Sequence, residues 1–420
     1  MTLSTIVIII ILVTLACYSV PSIPIALTSL LTVVAMTLAG ALSYSEAISG
    51  FTSSAVFLVA GMTIIGKACY VSGLAGLIGR KLFLFTRFGE RYFVVSLFII
   101  AALLSVVINA VAIIALMMPV LDYIAKTTDN QISRKATYFP LGVSVVMGTG
   151  LSSISSSSMI MANVILSNAG YEQLGVFAPA VVNLPSLIVI VLFYATIGNT
   201  LQHRVFDFKE IPAADAEDKS QNIEVVTWKI VLSAAVLIGT VIALMMGVNV
   251  GLLSVVGSCI LIITRCVSGQ EAYKSISWAT LAIVGASIGI SKAITNSGAA
   301  VVLANDVIEY SGSFGTTTFG LCIIVFLIGS VFSNLLADTA TVAIMLPIIF
   351  SLAAKLGLDV VALTLACTSG VKFALATPVC TASMTMINPP GYRFKDYFVM
   401  GGLVNIICLI VTCGVIAILY

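Results

Sequence analysis

The run STIVIIIILVTLACYSV at residues 4–20 contains no charged side chain, and runs like it return along the whole chain. A helix rises about 1.5 Å per residue, so such a segment spans most of a hydrocarbon layer of roughly 30 Å. Further apolar segments lie at 22–42, 52–68, 137–168, 176–198, 227–246, 248–264, 278–292, 359–388 and 397–419. Two more, 92–126 and 314–354, are too long for one crossing and are interrupted by Asn109 and by the Asn334–Asp338 region. Lipid offers the backbone no hydrogen-bond partner, and apolar runs this long satisfy themselves as helices. Of the 420 residues 60% are hydrophobic and 9% charged, which excludes a soluble domain. Residues 4–20 lack the basic start and small-residue cleavage site of a secretory signal and read as a retained first helix. The expected fold class is an all-α polytopic membrane protein.

The one sizeable polar stretch, 199–226, divides the chain into halves that can be laid on each other. KACYVSGLA (67–75) matches KAITNSGAA (292–300), and Glu46-Ala47 matches Glu271-Ala272, both 225 positions on. SVVINAVAIIALMMP (105–119) matches SNLLADTATVAIMLP (333–347) at 228, and SSMIMAN (157–163) matches ASMTMIN (382–388) at 225. The chain reads as an internal duplication, 1–198 and 227–420, joined by a linker at 199–226. Lys and Arg near helix ends stay on the cytoplasmic side. Arg80, Lys81, Arg87 and Arg91 precede 92–126, and Lys126, Arg134 and Lys135 follow it, so that segment enters and leaves by one face as a re-entrant hairpin. Arg204, Lys209, Lys219, Lys229, Arg265, Lys274, Arg393 and Lys395 share that face if each half crosses five times. Segment 293–354, with Asp306 and Glu309 and no basic residue, fits the outer face. An odd number of crossings inverts the second half. In this reading 4–68 and 227–292 are scaffold helices, 92–126 and 314–354 re-entrant hairpins, 137–168 and 359–388 broken helices, and 176–198 and 397–419 closing helices. The linker is cytoplasmic, both termini are on the outer face, and the setting is the inner (plasma) membrane. Inverted repeats with broken helices mark secondary transporters, with the site near the midplane.

Several chemistries lack residues. His203 is the only histidine, the nine cysteines are scattered without a CxxC pair, and no GxxxxGK[ST] loop occurs. A metal set, a Ser/His enzyme and ATP drive are therefore unsupported, and the chain is expected not to be an enzyme and to need no cofactor beyond a coupling ion. The breaks are more informative. The first spans Gly148-Thr149-Gly150 and the serine run to Ser158, and the second Thr377-Pro378-Val379-Cys380-Thr381-Ala382-Ser383. Half-helix N-termini offer N–H groups to an anion, and half-helix C-termini offer carbonyls to a cation. Serine runs also pack membrane helices closely. Recurrence of Thr381 and Ser383 at the equivalent break favours a binding site.

The hairpins, the broken helices after them and the ending PPGYRFKDYFVMGGLVN resemble the divalent anion:sodium symporter family of the ion transporter superfamily, over about residues 4–419. The family places Ser-Asn-Thr and Ala-Thr at each hairpin tip. Here the second tip reads Ala337-Asp338-Thr339-Ala340-Thr341 and the first Asn109-Ala110-Val111-Ala112-Ile113, while Met159 and Met384 replace an asparagine at each break. The resemblance implies substrate contacts at Asn109, Ser152, Ser155, Ser156, Thr339, Thr341, Thr377, Thr381 and Ser383. It implies cation binding or coupling by Asn109, Gly148, Gly150, Asp338, Lys372 and Cys380, with sodium at Asn109/Gly150 and at Asp338/Thr381. A carboxylate at membrane depth needs a partner, and Lys372 is the nearest candidate in sequence logic. The implied function is sodium-coupled secondary transport of a dicarboxylate or a divalent oxyanion such as sulfate, by a homodimer. A sodium/proton antiporter or anion exchanger is the alternative, favoured by Asp338; a passive channel fits duplicated hairpins less well.

Overall fold

The computed structural model describes residues 2–18, 23–72, 86–108, 110–128, 131–210, 227–245, 250–276, 278–311, 315, 317–334, 338–377 and 381–420. Asn109, Cys380, the linker stretch 211–226 and tip residues 335–337 lie outside the described residues. All regular elements described are helical, so the chain adopts the all-α class read from its sequence.

The first half runs α1 (Leu3–Tyr18), α2 (Ile25–Leu38), α3 (Tyr44–Ser49), α4 (Ser54–Val71), α5 (Glu90–Ser105), α6 (Ala110–Thr127), α7 (Arg134–Thr149), α8 (Ser157–Asn168) and α9 (Ala178–Phe193). A π turn at Tyr194–Gly198 carries α9 into α10 (Asn199–Val205). The second half runs α11 (Thr227–Met245), α12 (Val250–Ile263), α13 (Gly269–Ser275), α14 (Trp278–Asn296), α15 (Ala299–Ser311), α16 (Thr318–Ser333), α17 (Asp338–Leu356), α18 (Val360–Lys372), α19 (Ala382–Met386) and α20 (Gly402–Leu419). Helical runs 44–69, 178–205, 278–296, 338–356 and 394–419 are long and apolar enough to cross a membrane by length and composition. Leu12, Leu38, Leu252, Ile263 and Ile410 are more than half exposed on the outside of the bundle, a surface suited to lipid.

Equivalent residues build equivalent ends. Ser43 and Ser268 each accept the amide of a glutamate three residues on, Glu46 and Glu271, and each glutamate returns to the serine amide, which starts α3 and α13. After α2 and α12 the chain stops with Ala41 N donating to Met36 O and Cys266 N to Leu261 O, a 6→1 bond that needs a left-handed residue at Gly40 and Arg265. Packing maps onto itself when the halves are exchanged. α4 packs on α12 and α14 on α2; α5 packs on α7 and α16 on α18; α6 packs on α19 and α17 on α8; α9 and α20 pack on each other. Small residues permit close crossings: a Cβ on Gly61 would strike Ser254 of α12.

One boundary differs from the sequence reading. The polar letters after residue 198 suggest linker, yet the helix continues to Val205. Gln202 is buried and its Nε2 donates to the Ala136 carbonyl (3.0 Å) and Asn199 Oδ1 (2.7 Å), so these amides serve tertiary contacts. Nearby, Arg134 pairs with Asp122 at 2.5 Å, Tyr138 Oη donates to Asp122 (2.7 Å), and Tyr392 Oη donates to the Lys135 carbonyl (2.7 Å). These bonds tie α6, α7 and the segment before α20 together at one end of the molecule.

Candidate functional site

The first break runs from Gly150, which caps α7, to Ser156, which caps α8 by accepting the Met159 amide at 3.5 Å. Ser152 Oγ donates to the carbonyl of Val106, the residue that ends α5 (2.5 Å). The second break runs from Phe373, which caps α18, to Thr381, which caps α19 by accepting the Met384 amide at 3.3 Å. Thr377 Oγ1 donates to the carbonyl of Asn334, the residue that ends α16 (3.2 Å). Two hydroxyls 225 positions apart thus fasten each break to the end of a preceding helix, α5 in the first half and α16 in the second. Ser152 Oγ also accepts the Ile154 amide at 3.3 Å, so this hydroxyl bonds both within the break and across to α5.

Two asparagines complete this frame. Asn183 of α9 is fully buried; its Nδ2 donates to the Gly150 carbonyl at 2.9 Å, and its Oδ1 accepts from Ser369 of α18 at 2.9 Å. Asn405 of α20 donates through Nδ2 to the Phe373 carbonyl and to Ser330 Oγ, both at 2.7 Å. Each amide therefore holds the carbonyl at the C-terminal end of a half-helix, in its own half. Sequence reading did not single them out. The available signal was a lone amide inside APAVVNLPSLIVIV and again inside GGLVNIICLIV, costly in a membrane unless bonded.

Asp338 and Lys372 meet. Lys372 Nζ stands 3.6 Å from Asp338 Oδ2, and Ser333 Oγ donates to Asp338 Oδ1 at 2.7 Å, with the two side chains 10% and 13% exposed. The acid opens α17 and the base closes α18, so each charge sits where its helix dipole favours it. The nearby Asn334 Oδ1 is buried with no hydrogen-bond partner among the described residues, an acceptor left available at the second tip.

Of the other expected contacts, Thr339 and Thr341 are buried on α17 and Ser383 on α19. Ser156 shares its hydroxyl with Ser158 at 2.9 Å. Ser155 faces a cavity of ≈ 170 Å³ that it lines with Ser157, Ile154, Val107 at the first tip, Met62 of α4 and Thr280 of α14. Gly148 presses on α5, where a Cβ would land on Ser105 Oγ and the Ala102 carbonyl. Met159 and Met384 are fully buried. Asn109 and Cys380 lie outside the described residues, so the first expected sodium position has only its Gly150 half in view.

Long apolar helices and a pair of breaks fit an integral membrane protein. The chain belongs to the citrate transporter family, whose model matches residues 6–370 and again 241–420. An "Uncharacterized transporter" of Haemophilus influenzae is 23% identical over 92% of this chain and 86% of its own. A Synechocystis protein of the same description is 27% identical over 39% of this chain, and the match spans only 27% of its length. A Chlamydomonas reinhardtii protein named "Probable sodium/sulfate cotransporter 3" is 27% identical over 35% of this chain and 16% of its own. Among solved structures, the Alcanivorax borkumensis YdaH transporter (12% identity, 89% of this chain, 87% of that one) and Neisseria gonorrhoeae MtrF (14%, 89% and 83%) share the fold, each at TM-score 0.57. Family and relatives are transporters, not enzymes.

Proposed function

We propose that the protein is a secondary active transporter that carries a small multivalent anion, a carboxylate such as citrate or succinate or an oxyanion such as sulfate, in company with sodium. The observation that carries this reading is the matched pair of breaks, each pinned by Ser152 or Thr377 to a hairpin tip. At each break the N-terminal amides of α8 and α19 suit the anion, and the carbonyls at Gly150 and Phe373 suit the cation. The expected contacts Ser155, Ser156, Thr339, Thr341, Thr381 and Ser383 belong to the anion, and Asp338 with Lys372 to coupling. α1–α4 and α11–α14 then act as a scaffold, dimerising with a second copy, while hairpins, breaks, α9 and α20 move as one body. The basic face and the 199–226 linker are cytoplasmic. The citrate family model and the sodium/sulfate name of one relative support a multivalent anion without choosing between them.

The Asp338–Lys372 pair favours a second reading, exchange against protons or another anion, because an internal cation can replace a sodium ion. Proteoliposome uptake of labelled citrate, succinate and sulfate, each with an inward sodium or choline gradient, separates the two. Uptake of one anion stimulated by sodium supports symport. Uptake driven only by internal anion or by a pH gradient overturns it.

A further inference from the structure

A second cavity, of ≈ 440 Å³, lies apart from the breaks at the ends of α4, α11 and α12, and is lined among others by Val71, Lys229, Arg265, Ser268 and Glu271. Its volume falls within the range of small-ligand sites. Two cations converge there. Among the described residues neither Lys229 nor Arg265 forms an ion pair. The one acid on the wall, Glu271, is already engaged: Ser268 Oγ and N donate to its Oε2 at 2.7 and 3.0 Å, and the Ser268 hydroxyl and amide hold its carboxyl below the usual range. The cavity therefore keeps an excess of positive charge.

The backbone supplies an independent observation. Arg265 has φ 57°, the only positive value at a described residue other than glycine. Its repeat counterpart is Gly40, φ 78°, in the same 6→1 helix ending. A left-handed residue favours glycine, so the arginine stands against the local preference, as functional side chains do. The surroundings indicate the membrane boundary. Both tryptophans of the chain are here: Trp228 lies under Lys229 Nζ at 5.8 Å, and Trp278 packs on Tyr273 at 5.3 Å. All three rings are more than half exposed, as aromatic residues at headgroup level are. Leu252, Val256, Ile260 and Ile263 make an exposed apolar stripe down α12 from the same end.

We propose that this cavity binds the phosphate-bearing head of an anionic phospholipid, with Arg265 and Lys229 on the phosphate oxygens and the α12 stripe along an acyl chain. Arginine suits phosphate through two parallel N–H bonds, and basic pockets between membrane helices select such headgroups. The proposal stands apart from the transport reading. Its test is native mass spectrometry and thermal melting of the full chain in neutral detergent with phosphatidylglycerol or phosphatidylcholine added. The wild type is expected to retain phosphatidylglycerol preferentially and to melt higher with it alone. Arg265→Gly and Lys229→Gln are expected to cut that preference at least fivefold. Arg265→Gly should melt no lower than the wild type without lipid, since glycine suits the turn, which separates lost binding from misfolding. Equal retention of both lipids, or an unchanged preference in the double variant, overturns the proposal. So does an equal upward shift with inorganic phosphate or glycerol phosphate, which would assign the cavity to a soluble anion.

Discussion

Asp338 and Lys372 are nearly as buried as the apolar side chains around them, and neither has another ion-pair partner among the described residues. Breaking such a pair from one side leaves a charge stranded in low dielectric, at a cost of roughly 3 kcal/mol. Asp338→Asn is therefore expected to lower the melting midpoint markedly, and Asp338→Asn with Lys372→Met to recover most of the loss. In transport assays Asp338→Asn should alter sodium or pH dependence more than anion KM; an unchanged coupling profile in proteoliposomes would sink the coupling role. Gly148 gives a purely steric contrast. Alanine there collides with Ser105 and Ala102 and should cost about 1–3 kcal/mol, whereas Gly414→Ala in α20 meets nothing within 4 Å and should be neutral or slightly stabilising, both read by thermal melting. The acid and the base were legible in the sequence because charge in an apolar run demands a reason. Asn183 and Asn405 were not, because an uncharged amide says nothing of which carbonyl, some 30 residues away in each half, it will meet.

Among the elements, the helices were the easiest to read and their joints the hardest. Apolar length gives α1, α4, α9 and α14 directly, but the polar letters of α10 are explained only by partners elsewhere: Gln202 donates to Ala136 of α7 and Asn199 to Glu90 of α5. The breaks were visible as glycine, proline and hydroxyl clusters; what holds them was not. Ser152 and Thr377 were expected to bind substrate; unread in the sequence was that their hydroxyls donate to the carbonyls of Val106 and Asn334 and so fasten each break to the end of α5 or α16. The asparagine amides fasten the opposite side of each break to the closing helix. If those carbonyls face a cation, Asn183→Leu and Asn405→Leu release them and leave buried partners unpaired, costing about 1–3 kcal/mol each. The expected functional signature is a several-fold rise in the sodium concentration for half-maximal uptake, with a smaller change in anion KM. Equal changes in both parameters, or a lower melting midpoint with unaltered sodium dependence, would reduce the two amides to structural braces.

At the scale of the whole molecule, exchange symmetry in packing has a mechanical meaning. Elements α4 and α14 each touch elements of their own half and the other, while α5–α9 and α16–α20 bond chiefly among themselves through the pins, the amides and the Asp338–Lys372 pair. If a body braced in this way moves as a unit, the seam it must slide along is where it meets α4 and α14. The ≈ 170 Å³ cavity opens along that seam, with Met62 on the α4 side and Ile160 of α8 on the other. If transport needs the seam to slide, cysteines at positions 62 and 160 joined by a short bifunctional maleimide should stop uptake while leaving anion-dependent and sodium-dependent thermal shifts intact. Each single-cysteine variant treated alike should transport normally, which removes any effect of native thiols such as the exposed Cys259. Mass spectrometry gives the joined fraction, and lost uptake should track it in proportion. Full uptake by fully joined protein would mean that the two bodies do not move past each other, and an alternating-access cycle built on this seam would have to be abandoned.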